Sequence, residues 1–197
     1  MEQVQNPRAS DIEATAQPTS TAYLTAAQTQ TLRRAREGDQ RALRSIYETH
    51  QAQVRGHLYR LLGADADVDD LVQSVFARAF QSLDGFKGNS AISTWLYRIT
   101  ANTTHNLLRQ RYRRNRVKRA FHWFALSRGT DLSSGKVEAR DEAMRLLAQL
   151  PPELREIFVL YHYQGLTLVE IAQIVERPIS TVGDRLSRAR KQLRQLV

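Results

Sequence analysis

The chain has 197 residues, 42% of them hydrophobic, with no cysteine and a formal net charge of +9. Without thiols there is no disulfide framework and no thiolate metal site, so zinc would have to rely on histidine and carboxylate. No apolar run reaches the roughly 18 to 20 residues that span a bilayer, and residues 1–24 lack the basic start and apolar centre of a secretory signal, so no membrane insertion and a cytoplasmic location are expected.

The length suits two small domains, and the basic excess favours a polyanionic partner, either nucleic acid or an anionic membrane surface. Residues 1–24 are rich in Gln, Ser, Thr and Ala, contain two prolines and show no helical stripe, which predicts a disordered leader. From Gln28 onward apolar residues recur at three and four, with no sustained alternation of the kind strands show, so an all-α fold is expected. A first helix near 26–37 ends at Gly38, and Asp39 can cap the next, whose face is Leu43, Ile46, Tyr47, Val54, Leu58 and Leu61. Gly63 stops that helix. In "DADVDDLVQSVFARAF" Asp67 is placed to cap, and Val68, Leu71, Val72, Val75, Phe76, Ala79 and Phe80 form the buried stripe. This leaves Asp69, Asp70, Gln73 and Arg78 outside, as acids favouring a helix N-terminus or as a protein-docking face.

A break at "DGFKGNS" leads into "AISTWLYRITANTTHNLLRQRYRR", where Trp95, Leu96, Ile99, Leu107 and Leu108 are expected in the core. Charge is local: residues 87–128 hold 10 Lys or Arg and no Asp or Glu, whereas residues 26–86 hold 8 of each. The basic segment also interleaves Trp95, Tyr97, Tyr112, Phe121, His122 and Trp123, either as stacking platforms for single-stranded bases or as core aromatics. Gly, Ser and Asp gather at 125–140, a linker composition.

Beyond it, Pro152 suits a first helical turn, and Leu154, Ile157, Phe158, Leu160 and Tyr161 make a face ending at Gly165. Thr167 and Glu170 form a capping box for a short helix with Ile171, Ala172, Ile174 and Val175. Pro178 interrupts, Ser180 can cap, and Val182, Leu186, Ala189 and Leu193 stripe a last basic helix. A short helix, a tight turn and a longer basic helix describe a helix-turn-helix, whose second helix enters the major groove. Arg185, Arg188, Arg190, Lys191 and Arg194 lie off its stripe, available to phosphates and bases. The five histidines form no His-Glu-x-x-His pattern, and there is no Walker-type loop or nucleophile elbow, so no catalytic residue, metal or cofactor is expected.

Together "DVDDLVQSVFARAF" with "FKGNSAISTWLYRITANTTHNLLR", and "LPPELREIFVLYHYQGLTLVEIAQIVERPISTVGDRLSRARKQL", resemble regions 2 and 4 of an extracytoplasmic-function (ECF, group IV) sigma factor of the sigma-70 family. The resemblance implies region 2 at 25–124, a linker at 125–140 running toward the polymerase RNA channel, and region 4 at 141–197. It implies that Asp69, Asp70 and Gln73 meet the β′ clamp helices of core RNA polymerase, and that region 4 also reaches the β flap. The loop after the acidic helix would capture a flipped minus-ten base, with Asn89, Ser90 and Ala91 lining the pocket and Asn102 beside it. Phe86, Lys87, Trp95 and Arg98 complete that surface, and Gly88, Ser90 and Ala91 leave room for the base. Unstacking a base costs a few kcal/mol, which such a pocket offsets through hydrogen bonds to its Watson–Crick edge.

Minus-thirty-five contacts would come from Thr181, Gly183, Asp184, Arg185, Ser187, Arg188 and Arg190. The family also implies promoter recognition and strand opening in a stress or envelope response, with an anti-sigma factor as partner. Where relatives commonly start the recognition helix Gly-Thr-Val-Lys-Ser-Arg, this chain has Ser180, Thr181, Val182, Gly183, Asp184 and Arg185. Gly183 removes a cation and weakens the first turn; Asp184 could accept from cytosine N4 or simply favour the helix N-terminus. A duplex-only regulator is the competing reading, but it would have no use for the region 2 loop and aromatic helix.

Overall fold

A computed structural model describes residues 24–63, 67–123 and 137–196, with side chains described except at 115–123 and 137–141. Residues 1–23 of the expected leader and most of the expected linker lie outside the described residues, while Leu24, the last residue of that leader, packs against the first core. Among the described residues there are eight α-helices and no strands: α1 (Ala26–Arg36), α2 (Gln40–Leu62), α3 (Val68–Gln81), α4 (Ile92–Trp123), α5 (Val137–Leu147), α6 (Pro152–His162), α7 (Leu168–Val175) and α8 (Ile179–Arg194), with a 3₁₀ turn at Leu83–Gly85 before α4. Helix α5 begins inside the stretch whose composition reads as linker.

The local signals account for most boundaries. Thr25 and Gln28 form a reciprocal capping box on α1, and Thr167 and Glu170 do the same on α7. The Asp39 carboxylate accepts from the backbone N–H groups of Arg41 and Ala42 at the start of α2. Gly63 follows α2 at φ +82, a conformation open to glycine because it lacks a Cβ. Two expected caps are corrected. Asp67 makes no side-chain cap bond, since its carboxylate accepts from Arg111 of α4 at 3.0 Å. Ser180 lies inside α8, which starts one residue after Pro178: that proline's φ of −56 and ψ of 145 set the cap geometry without a side-chain bond.

Helices α1 to α4 enclose one core, built from the stripes of α2 and α3 together with Leu32, Leu83, Phe86, Ile92 and Leu96. The carboxyl-terminal helices do not enclose a second core by themselves. Tyr97 and Ala101 of α4 pack with Ile157, Leu160, Ile171, Ile174, Val182 and Leu186, while Leu61 and Leu108 pack with Leu147, Leu150, Val159 and Ala189. Helix α6 is the wedge: besides Ile157, Val159 and Leu160, it buries Arg155 and Glu156, so its buried surface is not confined to one stripe. At roughly 1.5 to 3 kcal/mol for each fully buried large aliphatic side chain, these contacts dominate the stability of the second half.

Polar groups stitch the same boundary. Arg155 donates from Nη1 to the Leu61 carbonyl at 2.7 Å, in the last turn of α2, and from Nη2 to the carbonyls of Ala148 and Leu150. A helix end leaves such carbonyls without intrahelical partners, so a guanidinium fork from the other domain completes α2. The Tyr97 hydroxyl donates to Gln164 Oε1 at 2.5 Å, and Gln164 Nε2 lies 3.5 Å from His57 Nδ1.

Candidate functional site

The residues expected to make contacts fall on three surfaces. On α3, burial of Val68, Val72, Val75, Phe76 and Ala79 turns Asp69, Asp70 and Gln73 to solvent together. Asp69 is tethered by an ion pair with Arg55 of α2. Asp70 and Gln73, three residues apart, present a carboxylate and an amide along one exposed ridge, a shape suited to a protein partner.

The second surface is the loop between the 3₁₀ turn and α4. Lys87 and Asn89 are exposed, and Ser90 and Ala91 are half-buried. Phe86 departs from the expected DNA-facing set: only 4% exposed, it stacks on Trp95 with ring centroids 4.9 Å apart, supporting the loop from beneath. Gly88 sits at φ +73, where an L-residue would be strained. Along α4, Arg98 and Asn102 are exposed, but they face the carboxyl-terminal domain: Arg98 pairs with Glu176 at 3.6 Å, and Asn102 lines an interdomain cavity of about 200 Å³. Tyr97 is buried between the domains and offers no stacking face to a base in this arrangement. Phe121, His122 and Trp123 have no described side chains.

The third surface is the helix-turn-helix. Val182, Leu186 and Ala189 pack inward, so Asp184, Ser187, Arg188 and Lys191 share one exposed face at helical spacing. The remaining expected contacts are divided. Thr181 and Gly183 flank this face half-buried, and Arg185 turns to the interdomain cavity that Asn102 also lines. Arg190 lies over the Tyr161 ring at 5.1 Å and donates to His162 Nε2 at 3.2 Å. No Cβ clash explains Gly183: an added Cβ would meet nothing within 4 Å.

Sequence reasoning missed the groups at the domain boundary. Burial and then the nearby Arg60 hold the His57 imidazole far below its usual range, at about 3, so it is neutral. Burial, reinforced by Glu153, pushes the Glu156 carboxyl up to about 7, with Arg185 opposing. The interdomain cavity also brings together Arg109, Arg177 and Glu153, with Arg109 and Glu153 paired at 3.5 Å. One available signal was the unbroken apolar run "IFVLY", which goes all the way round a helix and leaves it no solvent-facing side there.

Among the described residues no group of three or more His, Asp or Glu is arranged to hold a metal, and no helix is long and apolar enough to cross a membrane. An exposed acidic ridge, a small-residue loop and a helix-turn-helix on one chain are the layout of an all-helical DNA-binding protein, and the comparisons with known proteins say which class. Residues 46–114 match the family described as Sigma-70 region 2, and residues 140–193 match Sigma-70, region 4. The ECF RNA polymerase sigma-E factor of Escherichia coli K12 is 33% identical over 169 residues, covering 80% of this chain and 87% of that protein. The ECF RNA polymerase sigma factor SigW of Bacillus subtilis is 28% identical over 180 residues, covering 83% and 93%.

In structure, the chain is similar to CnrH, solved in complex with the cytosolic domain of CnrY, with a TM-score of 0.64, 24% identity, and 84% and 94% of the two chains covered. The chain belongs to the ECF sigma factors of the sigma-70 family. It is a promoter-directing transcription initiation factor and not an enzyme.

Proposed function

We propose that region 2 occupies residues 25–124 and region 4 residues 141–197, and that each surface has one task in a cytoplasmic holoenzyme. Asp70 and Gln73, with Asp69 beside them, dock on the β′ clamp helices of core RNA polymerase. Lys87, Asn89, Ser90 and Ala91, over the Phe86–Trp95 stack, receive the minus-ten strand, and Arg98 and Asn102 extend that path along α4. Asp184, Ser187 and Arg188 enter the minus-thirty-five major groove, with Thr181 and Gly183 on its near edge. The observation that carries this reading is the free Asp184–Ser187–Arg188–Lys191 face on the same chain as the small-residue loop.

The docked domains add a condition. The two promoter elements are about 25 base pairs apart, or roughly 85 Å of duplex at 3.4 Å per step. Asn102 and Arg185, one for each element, line the same cavity. Reading both elements requires the domains to part, which frees Arg98 from Glu176 and Arg185 from the cavity. Core polymerase, which holds the two regions at separate places, supplies the binding energy for that opening. A relative in this fold class, sigma factor RpoE of Bartonella quintana, was solved in complex with the anti-sigma factor NepR. By the same chemistry, an anti-sigma factor would hold this chain inactive by covering these surfaces.

In vitro transcription with bacterial core polymerase on a random promoter library tests the assignment. Wild-type chain initiates from a selected promoter class, and Asp70→Arg abolishes initiation by losing core binding while still folding. Asn102→Ala retains core binding and loses promoter opening. An absence of promoter-dependent initiation by the wild-type chain defeats the reading.

A further inference from the structure

The loop between the 3₁₀ turn and α4 has little of its own to hold its shape. Among the described residues, its entrance is held by Gly85 N–H to Ser82 O and Phe86 N–H to Leu83 O, both 3.1 Å, and its exit by Trp95 N–H to Ala91 O at 3.2 Å, with no backbone–backbone bond at Lys87 to Ser90 between them. The Ser90 hydroxyl adds only a 3.4 Å contact to the Ala91 carbonyl. Support comes from far away in sequence. Arg36, in the last turn of α1, donates from Nε to the Leu83 carbonyl at 3.3 Å and from Nη2 to the Phe86 carbonyl. Its planar fork thereby ties both ends of the bend from which the loop departs.

Leu24, just before α1, closes the other side. A Cβ built on Gly88 would lie 3.2 Å from Leu24 Cδ1, so the loop backbone runs close against that side chain. The loop is thus pinned by Arg36 at its entrance, by Leu24 behind Gly88 and by the Phe86–Trp95 stack underneath. Asn89, Ser90 and Ala91 stand beyond these three supports.

We propose that Arg36 is a positioning residue for minus-ten recognition, and that α1 with Leu24 is the brace that keeps the strand-capturing loop preformed. This rests on the reading of residues 86–91 as the minus-ten contact. Arg36 acts through two backbone carbonyls and does not itself meet DNA. Ordering a loop only upon binding subtracts its conformational entropy from the affinity, and a brace removes that loss. Neither the acidic ridge on α3 nor the groove face on α8 depends on this tie, so its removal separates strand capture from the other two tasks.

The test uses full-length chain in holoenzyme with bacterial core polymerase, and a single-stranded DNA selected by the wild-type holoenzyme from a random pool. Arg36→Met keeps the aliphatic stem and removes the donors, and it should weaken capture of that strand about tenfold. Core polymerase affinity and thermal midpoint should stay at wild-type values. Arg36→Lys, which keeps one donor, should recover part of the loss, and Leu24→Ala should show a smaller loss of the same kind. Equal strand capture by Arg36→Met and wild type overturns the inference. So does a parallel fall in core affinity and thermal midpoint, which would mark Arg36 as merely structural. A wild-type holoenzyme that selects no strand sinks the minus-ten reading and this inference with it.

Discussion

The two halves of the molecule are stabilised differently. Helices α1 to α4 close around a core of their own side chains, whereas α5 to α8 complete theirs with Leu61, Tyr97, Ala101 and Leu108 from the first half. The difference teaches which half keeps its shape when the two part. Under the proposed function, region 2 would dock and capture a strand around its own core, whereas region 4 would trade contacts with α2 and α4 for contacts with a partner. If the proposed function holds, the docked arrangement is a state the chain leaves when it works.

The sharpest way to break this asymmetry is Arg155→Met, which takes the guanidinium from the carbonyls of Leu61, Ala148 and Leu150. Leaving buried acceptors unpaired should cost about 3 kcal/mol. Amide exchange should accelerate throughout α6 to α8 while α1 to α3 remain protected; uniform acceleration would mean that the halves form a single cooperative unit.

Acid and base should loosen the boundary for opposite reasons. His57 falls from 6.5 in the unfolded chain to about 3 when folded, so its contribution is present above pH 6.5 and lost as pH falls toward 3. Glu156 rises from 4.5 to about 7, so its contribution is present below pH 4.5 and lost as pH rises toward 7. Glu156→Gln should therefore stabilise the protein at pH 8 by on the order of 2 kcal/mol and have little effect at pH 4. Thermal midpoints across that range check the sign, and a gain at pH 4 equal to that at pH 8 would show that burial of the charge is not the cause.

The smallest expected effect falls on the groove face. Gly183→Ala has open space for its Cβ and should stabilise α8 by up to about 1 kcal/mol. If it also weakens minus-thirty-five binding, the glycine serves close approach to DNA; unchanged or stronger binding would show that it has no such role.

Much of this was legible in the sequence. The Thr167–Glu170 box, the Asp39 cap, Pro152 in the first turn of α6 and the glycine stops at 38, 63 and 165 act over a few residues, so local chemistry suffices to read them. The stripe of α3 likewise indicates that Asp69, Asp70 and Gln73 face outward. Phe86 was harder, because an aromatic in a loop reads as a contact until its partner, Trp95, is brought beneath it. Ser180 failed as a cap because Pro178 had already set the helix entry.

By itself, then, the sequence determined the helices, the helix-turn-helix, the local basic surface and the family, since each depends on periodicity, capping or motif spacing within a short stretch. Only the tertiary structure decided that α6 buries an arginine and a glutamate, that Asn102 and Arg185 share one cavity, and that Arg36 holds the loop fifty residues away. Those facts depend on which surfaces meet, and desolvation and hydrogen-bond geometry at such a meeting are properties of neither segment alone.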